Sequence, residues 1–581
     1  MEKIWQVLPK ITEDFKNKYP EYSRLVLQLL FNRGIIEKEA MEEYLSFDYE
    51  KYSHDPFLFN DMEAAVNLII KHIKEGNNIV VYGDYDADGV TACAVMVETL
   101  ETLKAKVDIY IPDRVAEGNG FNLKALEVIV YSGAKLIITV DTGIRSAKEA
   151  AEARKNNIDI IITDHHQPPK KKEEYPDCII VNPAIPEEKY PYKKLAGVGV
   201  AFKLAKALVD KSRLSLEDKK NIENKILDLV AIGTVADCVS LLGENRILVK
   251  KGLDILNKTK RAGLKELIKI ACIENKRLKS WNIGFQIAPR LNAAGRMGHA
   301  NTAYELLVTR REKEAKVLAG KLNEKNIERQ KLTEEIIIEV EKQINKEQIP
   351  KIIISTCQAS FDEDAEEWNE GIIGLVAGRI SSKYYRPVLV ITNSGDEYKG
   401  SGRSIKEFNL IKAVEASAEY LLKYGGHPGA CGFSLKKENL NKFIKKISEI
   451  TEKELKDLDL RPKIDIEAVF DLSKINEELI NEIENFSPFG EGNERPVFAS
   501  HNITVMDIYW MGMEKQHVKF RVKSDNSTVL SAIGFSQAEK WKDIIIGDKI
   551  DMLYYLELNN YNGKTEAQLK IIDIKIKVDM K

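Results

Sequence analysis

Little in this chain points to a covalent or membrane-bound framework. Its six cysteines, Cys93, Cys178, Cys238, Cys272, Cys357 and Cys431, are scattered and form no CxxC pair. That excludes a zinc ribbon or a disulfide scaffold and leaves them as small buried hydrophobes. No run of about 18 apolar residues occurs, which argues against a membrane span. The opening MEKIWQVLPKITEDF lacks the basic, apolar and small-residue regions of a signal peptide, so a cytoplasmic location is expected. An excess of one charge is missing too, since 87 Lys and Arg against 90 Asp and Glu leave a net charge of −3. A nucleic-acid partner would have to be met by local basic grooves and not by a bulk field. Internal repeats and low-complexity segments are also absent.

What is present is a chain of 581 residues, 44% hydrophobic and 30% charged, of ordinary globular composition and too long for one core. Residues 1–60 read as a helical lead-in, with an apolar stretch at 25–31. Short apolar runs then recur at 78–82, 106–111, 135–140 and 158–163, separated by helical patterns at 91–104, 123–131 and 146–155. Strands alternating with helices predict a parallel sheet covered on both faces, with ligands at the strand C-termini. From about 303 to 346 the chain turns charged and helix-forming, and 321–349 carries neither Gly nor an internal Pro break before Pro350. One long connecting helix is the simplest reading. A second α/β segment follows, with strands at 351–355 and 387–391 and a glycine-rich end at 425–432. Beyond another charged helix at 436–456, β-type alternation at 517–522, 528–535, 549–556 and 566–578, with a turn at Asn562-Gly563, suits a five-stranded OB-type barrel.

Three acidic motifs lie at the ends of these apolar runs, and a fourth stands on a later apolar segment. GDYDADG at 83–89 puts Asp84, Asp86 and Asp88 directly between a strand and a helix. Three carboxylates in five residues repel one another, and a bound cation is the natural compensation. On an extended strand end, alternate residues would point the same way. The DxDxDG start also matches a calcium loop, but the place of the bidentate Glu falls in the following helix. Asp141 closes the second motif's strand, Asp164-His165-His166 closes the third's, and Asp237 stands on the apolar segment 231–241. Singly, each has a structural explanation as a helix cap or a satisfied core group. Together they place carboxylates and imidazole, without Cys, at one sheet edge. That ligand set suits Mn²⁺ or Mg²⁺, with His favouring Mn²⁺, and ion pairs of this kind serve phosphoryl chemistry.

In this order GDYDADG, VDTG, TDHH and VAD resemble motifs I–IV of the DHH phosphoesterase superfamily. The resemblance implies metal ligands at Asp86, Asp88, Asp141, His165 and Asp237. It implies contact between His166 and the scissile phosphate, and a ligating or water-orienting Asp84. Tyr82 stands where the superfamily's pyrophosphatases carry His, which sets the chain apart from them. APRLNAAGRM at 288–297 is similar to the fifth motif of RecJ-type exonucleases and makes Arg290 and Arg296 candidate phosphate clamps. A structural pairing of either Arg with a motif carboxylate is the alternative. EGIIGLVAGR at 370–379, GSGRS at 400–404 and GGHPGACG at 425–432 resemble a DHHA1 domain, with Cys431 where Ala is usual. They imply a terminal 5′-phosphate pocket of Arg114, Ser401 and Arg403, with Arg379 as a further substrate-binding residue and His427 facing the metal cleft. PFGEGN at 488–493, LNNYNG at 558–563 and Gln568-Leu569 resemble the family's OB-type domain. Its Lys519, Phe520 and Tyr555 could serve DNA, although barrel aromatics are as often core.

The expected architecture is therefore α/β. It comprises a helical lead-in (1–60), a Rossmann-like DHH domain (61–302), a connecting helix (303–346), a smaller α/β DHHA1 domain (347–455) and an OB-fold barrel (456–581). The resemblance implies a single-stranded-DNA-specific 5′→3′ exonuclease that uses two Mn²⁺ or Mg²⁺ ions. It would release 5′-mononucleotides in recombination and repair, with His166 and Arg290 assisting, alongside a single-stranded-DNA-binding protein and a helicase. Two rivals differ in kind. A phosphodiesterase for oligoribonucleotides or cyclic dinucleotides would share the core but typically lacks the barrel. A non-catalytic replication scaffold would not need an intact acidic set.

Overall fold

The computed structural model describes residues 2–114, 116–118, 120–274, 276–357, 367–526, 528–561 and 564–576. They form two compact units, one built from residues 55–237 and 252–462, the other from 3–54, 238–251 and 463 onward. Among the described residues no helix is long and apolar enough to cross a membrane.

In the first unit a sheet of five parallel strands carries the acidic motifs. The strands are β1 (Asn78–Gly83), β2 (Lys106–Tyr110), β3 (Leu136–Val140), β4 (Asp159–Thr163) and β5 (Ile179–Val181), in the order β2-β1-β3-β4-β5. Helices α1 (Ala87–Thr102), α2 (Leu123–Tyr131) and α3 (Ala147–Lys155) fall where the periodicity puts them. Alternate strand residues, Val80 and Tyr82, Ile137, and Ile160 and Ile162, pack with Leu126 and Ile129 of α2 on one face. α1 is buried from Ala87 to Leu100, as an apolar helix covered all round must be. It packs against α4 (Gly197–Lys211) and α5 (Leu216–Ala236). The strand order reverses between β1 and β3, so the crevice at their C-terminal ends is where such sheets bind ligands.

After α6 (Ala288–Met297) comes the long helix α7, which runs over Glu312–Gln343, earlier at both ends than the uninterrupted 321–349 predicts. Gly320 lies inside it. The ~1 kcal/mol that Gly costs relative to Ala is offset by burial of its neighbours Ala315, Leu318, Ala319 and Leu322. A second sheet follows, built from β6 (Ile353–Thr356), β7 (Val388–Ser394), β8 (Glu397–Arg403), β9 (Lys423–His427) and β10 (Ala430–Lys436), with α8 (Glu370–Tyr384) against it. Its order is β9-β10-β8-β7-β6, and only the β6–β7 pair is parallel. The glycine-rich segments 400–404 and 425–432 are largely strands, while 370–379 is helical. A Cβ at Gly400 would stand 2.1 Å from the Phe433 ring, and one at Gly402 would stand 2.7 Å from Cys431 Sγ, so the glycines make room for cross-strand packing.

The second unit holds a closed barrel of β11 (Phe498–Met511), β12 (His517–Lys523), β13 (Val529–Gly534), β14 (Lys549–Tyr561) and β15 (Lys564–Ile576). Pairing runs β11-β12-β13-β15-β14 and back to β11. β11 hid in the sequence because register shifts near residues 500–503 and 505–507 break its alternation. The predicted Asn562-Gly563 turn, and the last two residues of the strand expected at 566–578, lie outside the described residues. Phe520 is fully buried in the barrel core, which removes it as a base-stacking candidate, while Tyr509, Trp510 and Phe535 are exposed. The N-terminal residues belong to this unit. Ile4–Val7 pairs with Lys463–Ile466, and the apolar face of helix Arg24–Asn32 joins the core that contains Phe486, Phe498 and Tyr554.

Candidate metal centre

The site is assembled from turns that glycine and backbone hydrogen bonds hold tightly. β1 stops at Gly83, and Asp86 becomes the N-cap of α1, its carboxylate accepting from Asp88 N (2.9 Å) and Gly89 N (3.1 Å). The three acids are therefore not strung along one extended strand. Capping starts the helix between them, and Asp88 enters through its first turn. Gly89 packs on the main chain of Asp84, where a Cβ would stand 2.5 Å from the carbonyl oxygen. Two residues of the fifth motif buttress the turn from α6. Asn292 accepts from Ala87 N (2.7 Å), and Gly295 lies against the Tyr85 carbonyl.

Asp141 follows β3 in the left-handed region, at φ 60°, with its N–H donating to Thr163 O at 3.0 Å. Gly197 gives it space, because a Cβ there would come within 2.3 Å of Asp141 Oδ1. The same helix start, that of α4, donates Gly197 N (2.7 Å) and Val198 N (2.9 Å) to the two oxygens of Asp88. A helix N-terminus is a favourable place for that charge. Asp164, fully buried, accepts from Ile144 N (3.0 Å), His165 N (2.7 Å), His166 N (3.1 Å) and the His166 ring at Nδ1 (2.8 Å). It fixes the His166 ring and the main chain of both histidines, a role its place inside the DHH run does not reveal.

Three sets of potential ligand atoms converge, each within 4.8 Å: Asp84, Asp86 and Asp141; Asp141, His165 and His166; and Asp88, His165 and Asp237. All five predicted metal ligands, with Asp84 and His166, are thus brought together. Asp84 Oδ1, Asp141 Oδ1, Asp237 Oδ2 and His165 Nε2 are buried without a hydrogen-bond partner. His165 Nε2 stands 3.1 Å from Asp141 Oδ1 and 3.6 Å from Asp237 Oδ2, yet makes a hydrogen bond to neither. Burial, then the neighbouring Asp86 charge, push Asp84 and Asp88 up to about 7. Burial and the charge of Asp88 carry Asp141 and Asp237 well above the carboxylate range. Burial lowers His165 to about 4, so its imidazole is neutral, as metal ligation requires. For His166 burial acts downward, but the Asp164 hydrogen bond and charge raise it to about 9. Hard oxygen ligands with one neutral imidazole, crowded and short of positive charge, fit Mn²⁺ or Mg²⁺.

Of the predicted substrate residues, Arg114, Arg296, Arg379, Ser401 and Arg403 fall into a second cluster, and His427 does not. Arg114 lies over the Tyr85 ring, 5.1 Å from its centre. Arg296 is largely buried and donates to Gly371 O (2.9 Å). Burial, then the charges of Arg114 and Arg329, bring it down to about 10. Ser401 and Arg403 share one face of β8, and Gly374 of α8 leaves room for them, since its Cβ would stand 2.9 Å from Ser401 Oγ. Arg403 is lowered by burial and by Arg114. Arg379 pairs with Glu334 (3.1 Å) and lines a depression with Gly374, Gly378, Lys383 and Arg403. Arg290 donates to Asn323 Oδ1 (3.1 Å) and Gln286 O (2.6 Å), so its recorded partners are polar and none is a motif carboxylate. His427 is not in any of the three ligand sets. It ends the exposed edge strand β9, and its ring accepts from Gly429 N (3.3 Å). Arg329 of α7 was not foreseen. Its Nε is buried without a partner, and burial with the charges of Arg379 and Arg290 lowers it. Nothing in the pattern ERQ marks it, since only packing of α7 turns it toward the other guanidiniums. Trp281 and Phe285, exposed and stacked 5.3 Å apart one turn before Arg290, also escaped notice.

Family models match three parts of the chain. Residues 78–234 match the DHH family N-terminal domain, 350–453 the DHHA1 domain and 466–573 the RecJ OB domain. Single-stranded-DNA-specific exonuclease RecJ of Bacillus subtilis is 38% identical over 555 residues, 95% of this chain and 68% of that protein. The Escherichia coli protein of the same name is 31% identical over 570 residues, 95% of this chain and 96% of its own length. Among solved structures, RecJ from Thermus thermophilus in complex with Mn²⁺ superimposes with a TM-score of 0.81 at 27% identity. The match covers 98% of this chain and 79% of that one.

Proposed function

The chain belongs to the RecJ family of single-stranded-DNA-specific exonucleases, and from that premise we propose that it removes nucleotides from single-stranded DNA. Digestion runs 5′→3′ by hydrolysis of phosphodiester bonds, with two Mn²⁺ or Mg²⁺ ions, and releases 5′-mononucleotides. The observation that carries this is the convergence of buried, unpartnered ligand atoms on Asp84, Asp141, His165 and Asp237 at the switch point of the sheet. Asp86, Asp88, Asp141, His165 and Asp237 would hold the ions. Bound there, divalent cations lower the pKa of water and neutralise charge that builds on a phosphoryl group.

The protein's own groups do the remaining work. His166, held by Asp164 and cationic at neutral pH, donates to a non-bridging oxygen of the scissile phosphate. Asp84 orients water through Oδ1, and Arg290 adds positive charge beside the departing strand. Arg114, Ser401 and Arg403 take the terminal 5′-phosphate, which sets polarity by geometry. Arg296 and Arg379, His427 on its edge strand, and the Trp281–Phe285 pair contact the strand that follows. In the cell such an enzyme works in the cytoplasm, in recombination and repair. There a helicase and a single-stranded-DNA-binding protein would present the strand.

The test is to incubate 5′-phosphorylated single strands, duplexes and cyclic dinucleotides with the protein and Mn²⁺. Mononucleotides from the single strand alone, lost in Asp141→Ala, are expected. Binding of DNA without any cleavage would remove the enzyme assignment. Faster cleavage of cyclic dinucleotides or short RNA would move it to the smaller-substrate phosphodiesterases.

A further inference from the structure

The loop from β2 to α2 carries none of the acidic motifs, yet it brings Arg114 to the first unit's site. Arg114 lies over the Tyr85 ring and stands close enough to Arg296 and Arg403 for its charge to act on both. Two like charges push it outward, so something must hold its main chain. The turn around it is closed from both ends. Asp113 N donates to Glu117 Oε1 at 2.8 Å, Glu117 N donates to Asp113 O at 2.9 Å, and Ala116 N donates to Asp113 Oδ1 at 2.8 Å.

Glu117 also ties this turn to the two elements that flank it. Its Oε2 accepts from Tyr110 OH (3.0 Å) at the end of β2 and from Asn122 Nδ2 (3.4 Å) at the start of α2. Asn122 is the N-cap of α2, its Oδ1 accepting from Ala125 N at 2.9 Å. Tyr82 of β1, the residue that departs from the pyrophosphatase pattern, supports the same loop. Its ring stacks on Tyr110 and meets Phe121 edge-on, with centroids 5.6 and 5.0 Å apart. Its hydroxyl donates to Gly120 O (2.9 Å) and accepts from Asn122 Nδ2 (3.3 Å). Gly120 has φ 87°, a conformation that glycine adopts without strain.

We infer that Glu117, supported by Tyr82 and Asn122, is a positioning residue for Arg114 and so sets the preference for a 5′-phosphorylated end. A free glutamate three residues from an arginine would draw the guanidinium onto itself. Here both oxygens are taken by Tyr110, Asn122 and the Asp113 N–H, and the guanidinium lies over Tyr85 instead. Without the brace, repulsion from Arg296 and Arg403 would swing Arg114 toward solvent. The inference rests on Arg114 as a ligand of the terminal phosphate and adds what keeps it aimed before DNA arrives.

The full-length protein with Mn²⁺ tests this on 5′-phosphorylated and 5′-hydroxyl single strands, with a thermal melt to confirm folding. Glu117→Ala should raise KM for phosphorylated strands about 10-fold, the order of loss that follows a small misplacement of a binding group. Values of kcat, Mn²⁺ binding and KM for 5′-hydroxyl strands should scarcely change. Glu117→Gln, which keeps an acceptor for Asp113 N, should recover most of the loss. Hydrogen exchange of the peptide spanning 108–122 should quicken in Glu117→Ala while β1 and β3 keep their protection. In an Arg114→Ala background Glu117→Ala should add nothing further, since both act on one contact. If Glu117→Ala does not fold, Tyr82→Phe should show the same pattern at about 5-fold, the loss of one hydrogen bond of ~1 kcal/mol. Unchanged KM in a folded Glu117→Ala, equal losses on both kinds of end, or a full effect in the Arg114→Ala background overturns the brace. An Arg114→Ala protein that treats both ends as the parent does removes the terminal-phosphate reading of Arg114 instead.

Discussion

Two clusters of opposite sign occupy the first unit, and they differ in how they are built. The carboxylates Asp84, Asp86, Asp88, Asp141 and Asp237 come from strand ends, the start of α1 and the end of α5, with several of their oxygens unpaired. Arg114, Arg296, Arg329 and Arg403 come from a loop, two helices and a strand; burial lowers Arg296, Arg329 and Arg403, and the charges of neighbouring guanidiniums lower them further. Each group is unfavourable alone, because burial penalises charge and like charges repel. In the proposed function each would be completed by a ligand of opposite charge, a divalent cation in one case and phosphates in the other. A strand of DNA end-on to such a centre would satisfy both at once.

The largest effect should follow from attacking the acidic cluster. Asp141→Asn should cut turnover of single-stranded DNA about 10³-fold or more, given the several kcal/mol a metal centre supplies. The same change should raise the melting temperature in chelator, because it removes a buried carboxyl among like charges. Identical melts in chelator would show that the cluster is not short of cations. On the basic side, Arg403→Ala removes a charge-assisted hydrogen bond of ~1.5–3 kcal/mol, so KM for 5′-phosphorylated strands should rise about 10- to 100-fold. Strands with a 5′-hydroxyl should scarcely respond, and an equal response from both ends would take the terminal phosphate away from this residue.

Asp164→Asn tests the link between the clusters. Mn²⁺ binding should persist while kcat falls ~10-fold or somewhat more, as His166 loses its orienting partner. Unchanged kcat would show that His166 needs no such support. Arg329→Ala should have the smallest effect. The slope of log binding against log salt should drop by about 0.7 for one lost phosphate contact, with no loss of thermal stability. A slope equal to the parent's would place Arg329 off the DNA path.

Much of the candidate metal centre was legible because the residues that could hold a cation sit at ends of periodic segments. The runs at 78–82, 135–140 and 158–163 are strands, and Asp84, Asp141 and His165 follow them within two residues. Their convergence needed only the rule that parallel strands end at one edge. Less of the basic cluster was visible. Arg114, Arg296 and Arg403 stood in recognisable motifs, whereas Arg329 stood in a helix of ordinary charged composition. The supports were invisible for the same reason. Asn292 bracing Ala87 and Gly197 yielding to Asp141 are contacts between residues far apart in the chain.

The sequence by itself determined the α/β order, the barrel's alternation and the chemical types gathered at the sheet edge. These are local properties, set by side-chain period and by which residues end a strand. Only the tertiary structure decided that the N-terminal helices join the barrel unit, that glycine-rich stretches become strands, and which oxygens are left without partners. Those outcomes depend on packing between distant segments, where a Cβ more or less, or a hydrogen bond already taken, decides which groups remain to meet a ligand.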